Sequence, residues 1–290
     1  MPPQTAFSFS PVSFNLAANP EAIGTLALCG AIAGIGVTIA SLETLLSWRN
    51  YARGGIFDGQ LLAQHTVLEH SALARRLLGW LFTGAALYVL VGLRLTCGIT
   101  LLIPNISVWT RAVAAAVAFF SGGTLMWRNR YGSDGGDQMI AIVLAGVAVG
   151  SFFPSSELTQ TAAIAFIAVQ ACLAYFVAGI AKSLSPFWRS GAVMVAIMDS
   201  ETWGSYRLGS WLVRSRLWSS LASWTVIVAE CAFPAVVFAP SWLTVVILSW
   251  GILFHTFCAL AMGFNIFFWA FMAAYPAILY IRALMSSIHP

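Results

Sequence analysis

Apolar and polar residues alternate along this chain in long blocks, not in short periods. Eight apolar runs stand out: Ala22–Trp48, Leu77–Leu93 (with an apolar extension to Ile103), Ser107–Trp127, Met139–Phe153, Thr161–Ala181, Leu217–Ala239, Leu243–Met262 and Phe264–Ile281. Most approach or exceed the roughly 20 residues that a helix needs to cross the hydrocarbon layer. Lipid offers no hydrogen-bond partner, so each run must satisfy its own backbone, which selects helix. A membrane barrel would show alternating segments of roughly ten residues, and none is visible. The pattern predicts an all-α, polytopic integral membrane bundle of about eight transmembrane helices. It forms one domain over residues 21–283, between a polar tail (1–20) and a short C-terminal tail (284–290).

Composition sharpens this picture. The chain is 60% hydrophobic and 8% charged, against about 25% charged in a soluble domain, so its apolar excess must face lipid. Of twelve tryptophans, Trp48, Trp109, Trp127, Trp188, Trp218 and Trp242 fall near predicted helix ends, where amphipathic rings prefer the headgroup level. Small residues four apart, as in Gly30–Gly34 and Gly146–Gly150, predict close helix approach. The five cysteines (Cys29, Cys97, Cys172, Cys231, Cys258) sit in apolar runs without a CxxC pair and read as small buried residues. The first run is too long for a signal-peptide core, so no cleavable leader is expected.

Charge is distributed unevenly. Arg49, Arg53, Arg75 and Arg76 follow the first run, Arg128 and Arg130 the third, and Lys182, Arg189, Arg207, Arg214 and Arg216 the fifth. The turns near 154–160 and 240–242 carry no basic residue. Arginine-rich loops stay cytoplasmic, which predicts an outside N-terminus; Arg94 and Arg111 fall on the wrong side of that scheme. No basic patch suits a nucleic acid. Two connections are long. Gln60–Arg76 reads as an amphipathic surface helix, and Ala192–Met198 as an interfacial or re-entrant piece too short to span.

Ionisable residues inside apolar spans are costly and therefore informative. Lys182 closes the fifth run and is the only lysine beside thirteen arginines; unlike arginine, lysine can give up its proton when desolvated. A snorkelling lysine at a helix end is the plainer reading. His255 lies deep in the seventh run, as a proton acceptor or an interhelical hydrogen bond. Glu230, upstream of Pro234, reads as protonated or paired, while Glu43 reads as interfacial. In Asp134-Gly-Gly-Asp137 the last residue precedes a helix and suits an N-cap. His65, Glu69 and His70 lack zinc-motif spacing, and no metal is expected. No P-loop, dinucleotide fingerprint or serine-nucleophile motif occurs.

Tyr175-Phe-Val-Ala-Gly-Ile-Ala-Lys182 with Ser-Leu-Ser-Pro-Phe-Trp-Arg-Ser-Gly191 resembles the signature of vitamin K-dependent gamma-carboxylases and of their bacterial relatives, the horizontally transferred transmembrane (HTTM) domain proteins. Gly-Ser-Asp-Gly-Gly-Asp137, Glu230 upstream of Pro234, and Phe254-His255 before Met262-Gly-Phe264 fit in the same order, so the resemblance covers most of residues 20–282. It implies a membrane core, in a bacterial inner membrane, that handles a quinol such as a vitamin K-like hydroquinone, with a small or peptide substrate. Lys182 then matches the initiating base and His255 a histidine beside the reacting groups, with Glu230, Asp134 and Asp137 as further site candidates. Where the carboxylases pair two lysines this chain has Ala181 and Lys182, and it lacks their loop histidine and extramembrane domain. The resemblance therefore implies quinol chemistry more than glutamate carboxylation. The alternative is a non-enzymatic membrane protein, in transport, immunity or assembly, that retains the fold.

Overall fold

A computed structural model describes residues 19–63, 72–129, 134–200, 204 and 215–288. His65, Glu69, His70, Arg130, Trp203, Arg207, Trp211, Arg214 and the N-terminal tail to residue 18 lie outside the described residues. Eight helices are long and apolar enough to cross a membrane. They are α1 (Pro20–Leu46), α2 (Gly84–Leu102), α3 (Val108–Arg128), α4 (Gly135–Phe152), α5 (Glu157–Leu184), α6 (Arg216–Ala232, its span continuing through a 3-10 turn to Val237), α7 (Ser241–Met262) and α8 (Asn265–Ile288). The chain is a polytopic helical bundle, and no strand occurs among the described residues.

Helix starts follow local chemistry. Asn19, Thr83, Ser107, Asp134, Ser156 and Ser215 accept backbone N–H bonds at the starts of α1 to α6, satisfying donors that helix geometry leaves open. Several expected boundaries move, and α5 runs beyond the expected Thr161–Ala181 at both ends. The second span begins at Gly84, because Leu77 belongs to a short helix (Ala72–Leu78) that passes into a 3-10 turn (Gly79–Phe82) before the Thr83 cap. The cap of α4 is Asp134, which accepts from Gly136 N and Asp137 N; Asp137 lies inside the first turn. The last helix runs through Ile288, past the expected end of the span at Ile281. After Ala232 the chain tightens into a 3-10 turn (Phe233–Val237) around Pro234, whose missing N–H cannot continue an α-helix.

Packing centres on α1, α4 and α8. Helix α1 lies against α2, α8 and α4, while α8 also touches α5 and α7. Small residues set the closest approaches: a Cβ on Gly34 would sit 2.8 Å from the Gly98 carbonyl, and one on Gly146 would sit 2.6 Å from Ile167. Both expected Gly pairs thus lie at helix crossings. Helix α7 packs chiefly on α8 and exposes Trp242, Val245, Leu253 and Leu260, the surface of a helix that meets lipid on most sides. Trp48, Trp109, Trp218 and Trp242 are likewise exposed near span ends. Arg94, Arg111 and Arg128 are all buried inside the bundle. The two that disturbed the loop-charge scheme are therefore not loop residues at all. Of the long connections, the second contains a helix (Ala192–Asp199) packed on α6, and the first contains Gly59–Ala63 and Ala72–Leu78.

Candidate functional site

Helices α4 and α5 touch closely at one end, through Gly146 and Gly150 against Ile167 and Ala163. At the other end they border an open cavity of about 660 Å³. Its wall includes Gln138 and Ile142 from α4, Gln170 to Lys182 from α5, Glu230 from α6, Phe254 and His255 from α7, and Phe267 and Phe271 from α8. Of the residues singled out in the sequence, Lys182, Glu230 and His255 converge here.

Lys182 stands in the last turn of α5 and is not a solitary amine. Its Nζ donates to both Glu230 oxygens, at 2.9 Å and 2.6 Å. A third side of the ammonium faces the Trp188 ring, 5.2 Å from its centroid. The pair forms because α5 and α6 meet backbone to backbone at Gly179: a Cβ there would lie 2.7 Å from Cys231 N and 3.0 Å from the Glu230 carbonyl carbon. Gly179 and Lys182, three residues apart, share that face. Ser223 of α6 donates to the Trp188 carbonyl, which fixes the turn that carries the tryptophan.

His255 is fully buried. Its Nε2 lies 2.6 Å from the Tyr175 hydroxyl, which lies 2.9 Å from the Tyr275 hydroxyl. The imidazole stacks on Phe271 and meets Phe267 and Phe254 edge-on. Its Nδ1 is buried without a hydrogen-bond partner among the described residues. Room for the two phenols comes from Gly251, where a Cβ would run into the Tyr275 hydroxyl and approach that of Tyr175 to 3.1 Å. Sequence reasoning gave Tyr175, Tyr275 and Gly251 no role. The available signal was two tyrosines in apolar runs, since a buried phenol needs a partner.

Asp134 and Asp137 are not brought to this site. Asp134 is spent as the α4 cap. Asp137 turns the other way, its Oδ1 3.9 Å from an Arg94 guanidinium nitrogen. It lines a separate cavity of about 250 Å³ with Glu43, Thr44, Tyr51, Arg94 and Asn129. The first turn of α4 is the wall between the two, with Gly135 and Gln138 on one side and Asp137 on the other. Among the described residues no group of three or more His, Cys, Asp or Glu side chains is placed to hold a metal.

In comparisons with known proteins, no family model, no curated protein and no solved structure matches this chain.

Proposed function

We propose that the chain is a quinol-linked membrane enzyme, akin to the membrane core of the gamma-carboxylases and HTTM proteins and placed in a bacterial inner membrane. The single observation behind this reading is the convergence of an amine, a carboxylate and a hydrogen-bonded imidazole on one cavity whose remaining wall is largely apolar and aromatic. Phe254, Phe267 and Phe271 suit an aromatic ring, and the amides of Gln138 and Gln170 suit ring oxygens. When bound, a quinol supplies an acidic hydroxyl and two electrons.

The proton is the protein's task. Transfer of one proton across the 2.6 Å bond from Nζ to the carboxylate turns the Lys182–Glu230 ion pair into an amine beside a carboxyl group. That amine is the base, and protonating it restores an ammonium next to the oxygen that released the proton. Arginine can pair with Glu230 but cannot lose its charge in this way. The Glu230 side chain, only 4% exposed, holds the carboxylate end of the pair away from water, and Tyr175 holds the imidazole ring in place. Carboxylation of glutamate is not part of the proposal.

The test combines ligand identification with one substitution. Mass spectrometry of the detergent-purified protein is expected to reveal a bound prenylquinone. Lys182→Arg is expected to keep it while quinol-dependent turnover falls by about a hundredfold or more, the scale of a lost general base. A second reading, a non-enzymatic membrane protein, is favoured by the engagement of the ammonium with Glu230 and Trp188. Absence of any prenylquinone, with no spectral change on adding a quinol, decides for it.

A further inference from the structure

We infer that the smaller cavity, between α1, α2, α3 and α4, is a binding site for a small zwitterion of the α-amino acid class. Its floor is Arg94, a mid-span arginine whose side chain is 9% exposed. A buried guanidinium is expected to be hydrogen-bonded throughout, because each stranded donor costs free energy. Arg94 is not: its Nε has no partner among the described residues. Its approach to Asp137 at 3.9 Å is beyond hydrogen-bond range. Nε itself packs against Gly122 of α3, where an added Cβ would already be in van der Waals contact at 3.7 Å.

The charges around this donor narrow the ligand class. Among the described residues that line the cavity, two carboxylates stand with one guanidinium: Asp137 beside it, and Glu43 at the exposed end. Glu43 has one oxygen occupied by the Asn265 amide at 2.6 Å. A simple anion drawn to Arg94 would be repelled by both acids. A simple cation drawn to the acids would be repelled by Arg94. A molecule with a carboxylate next to an ammonium meets both needs, lying antiparallel to the Arg94–Asp137 pair with its carboxylate on the guanidinium fork and its ammonium on Asp137. Thr44, Ser47, Tyr51 and Asn129 supply further hydroxyl and amide groups on the wall. A volume of about 250 Å³ suits a molecule of alanine size, given that one liquid water takes roughly 30 Å³. This site is independent of the quinol reading, because none of its groups faces the larger cavity.

The experiment uses the full chain in nanodiscs, titrated with L-alanine, acetate and ethylamine and followed by calorimetry and thermal unfolding. Alanine is expected to bind at least about tenfold more tightly than either single-charge probe, the scale of one charge-assisted hydrogen bond. Asp137→Asn and Arg94→Lys are each expected to weaken alanine by about tenfold or more on the same grounds. Asp137 stands in the first turn of α4, so its amide variant keeps the fold testable where the Arg94 change disturbs it. Acetate binding as tightly as alanine overturns the proposal in favour of a plain anion site. No binding of any of the three probes overturns it in favour of a water-filled cavity.

Discussion

The two cavities on either side of the first turn of α4 handle charge in opposite ways. In the larger one, Lys182 and Glu230 close a two-bond ion pair at 2.6 Å and 2.9 Å, with an aromatic face against the remaining side of the ammonium. In the smaller one, Arg94 and Asp137 stay 3.9 Å apart and a guanidinium donor has no partner among the described residues. The difference is one of backbone approach. Gly179 lets α5 and α6 meet closely enough to bring both ends of the first pair together. Among the described residues no such close packing joins α2 and α4, so the second pair stands apart. A closed pair is a structural link that must open or tautomerise to act, whereas an open pair has capacity left for a ligand.

The largest expected effect that tests this contrast is Lys182→Ala. It strands a carboxylate whose side chain is 4% exposed, and breaking a buried pair in this way costs about 3 to 5 kcal/mol. Thermal unfolding in detergent measures it, and a loss below about 1 kcal/mol, the range of exposed pairs, would show that the closed pair is not closed in the protein. Next is Gly251→Ala, which pushes a methyl group into the Tyr175–Tyr275 hydroxyl pair. Overpacking of this kind costs about 1 to 3 kcal/mol, and unchanged stability together with an unchanged His255 NMR resonance would remove the phenol network from the larger site. Asp137→Asn should cost about 1 kcal/mol or less, as loose pairs contribute little. A loss as large as that of Lys182→Ala would erase the contrast.

The smallest effect concerns Asp58, in the loop beside the smaller cavity. Backbone N–H bonds from Gly54 and Gln60 hold its carboxyl below the usual carboxylate range. A lowered folded pKa means that the bonds stabilise the loop fully above the ordinary carboxylate pKa, and that this stability fades as pH falls through the lowered value. The unfolding temperature of Asp58→Asn should therefore fall less steeply than that of the parent protein between about pH 5 and 3. Parallel curves would contradict the assignment.

Much of this was readable before any coordinates. Each apolar run reports its own helix, so the eight spans needed no tertiary information; what moved were their ends, some set by local capping as at Thr83 and Asp134, one by Pro234. Cost also singled out Lys182, Glu230 and His255, because a charge or imidazole in an apolar run needs a reason wherever it ends up. Partners were not readable. Lys182 and Glu230 are 48 residues apart, and Tyr175 and Tyr275 are 100 apart. Nothing local in a sequence says which faces of two distant helices will meet.

Hydrophobicity accumulated along the chain therefore settles on its own that this protein is a membrane helix bundle, because crossing lipid is a property of one segment at a time. Which ionisable groups are spent on each other, and which remain open, was decided only by the crossing points of the helices. Those depend on glycine-sized gaps between neighbours and on the three-dimensional rotation of each helix about its axis.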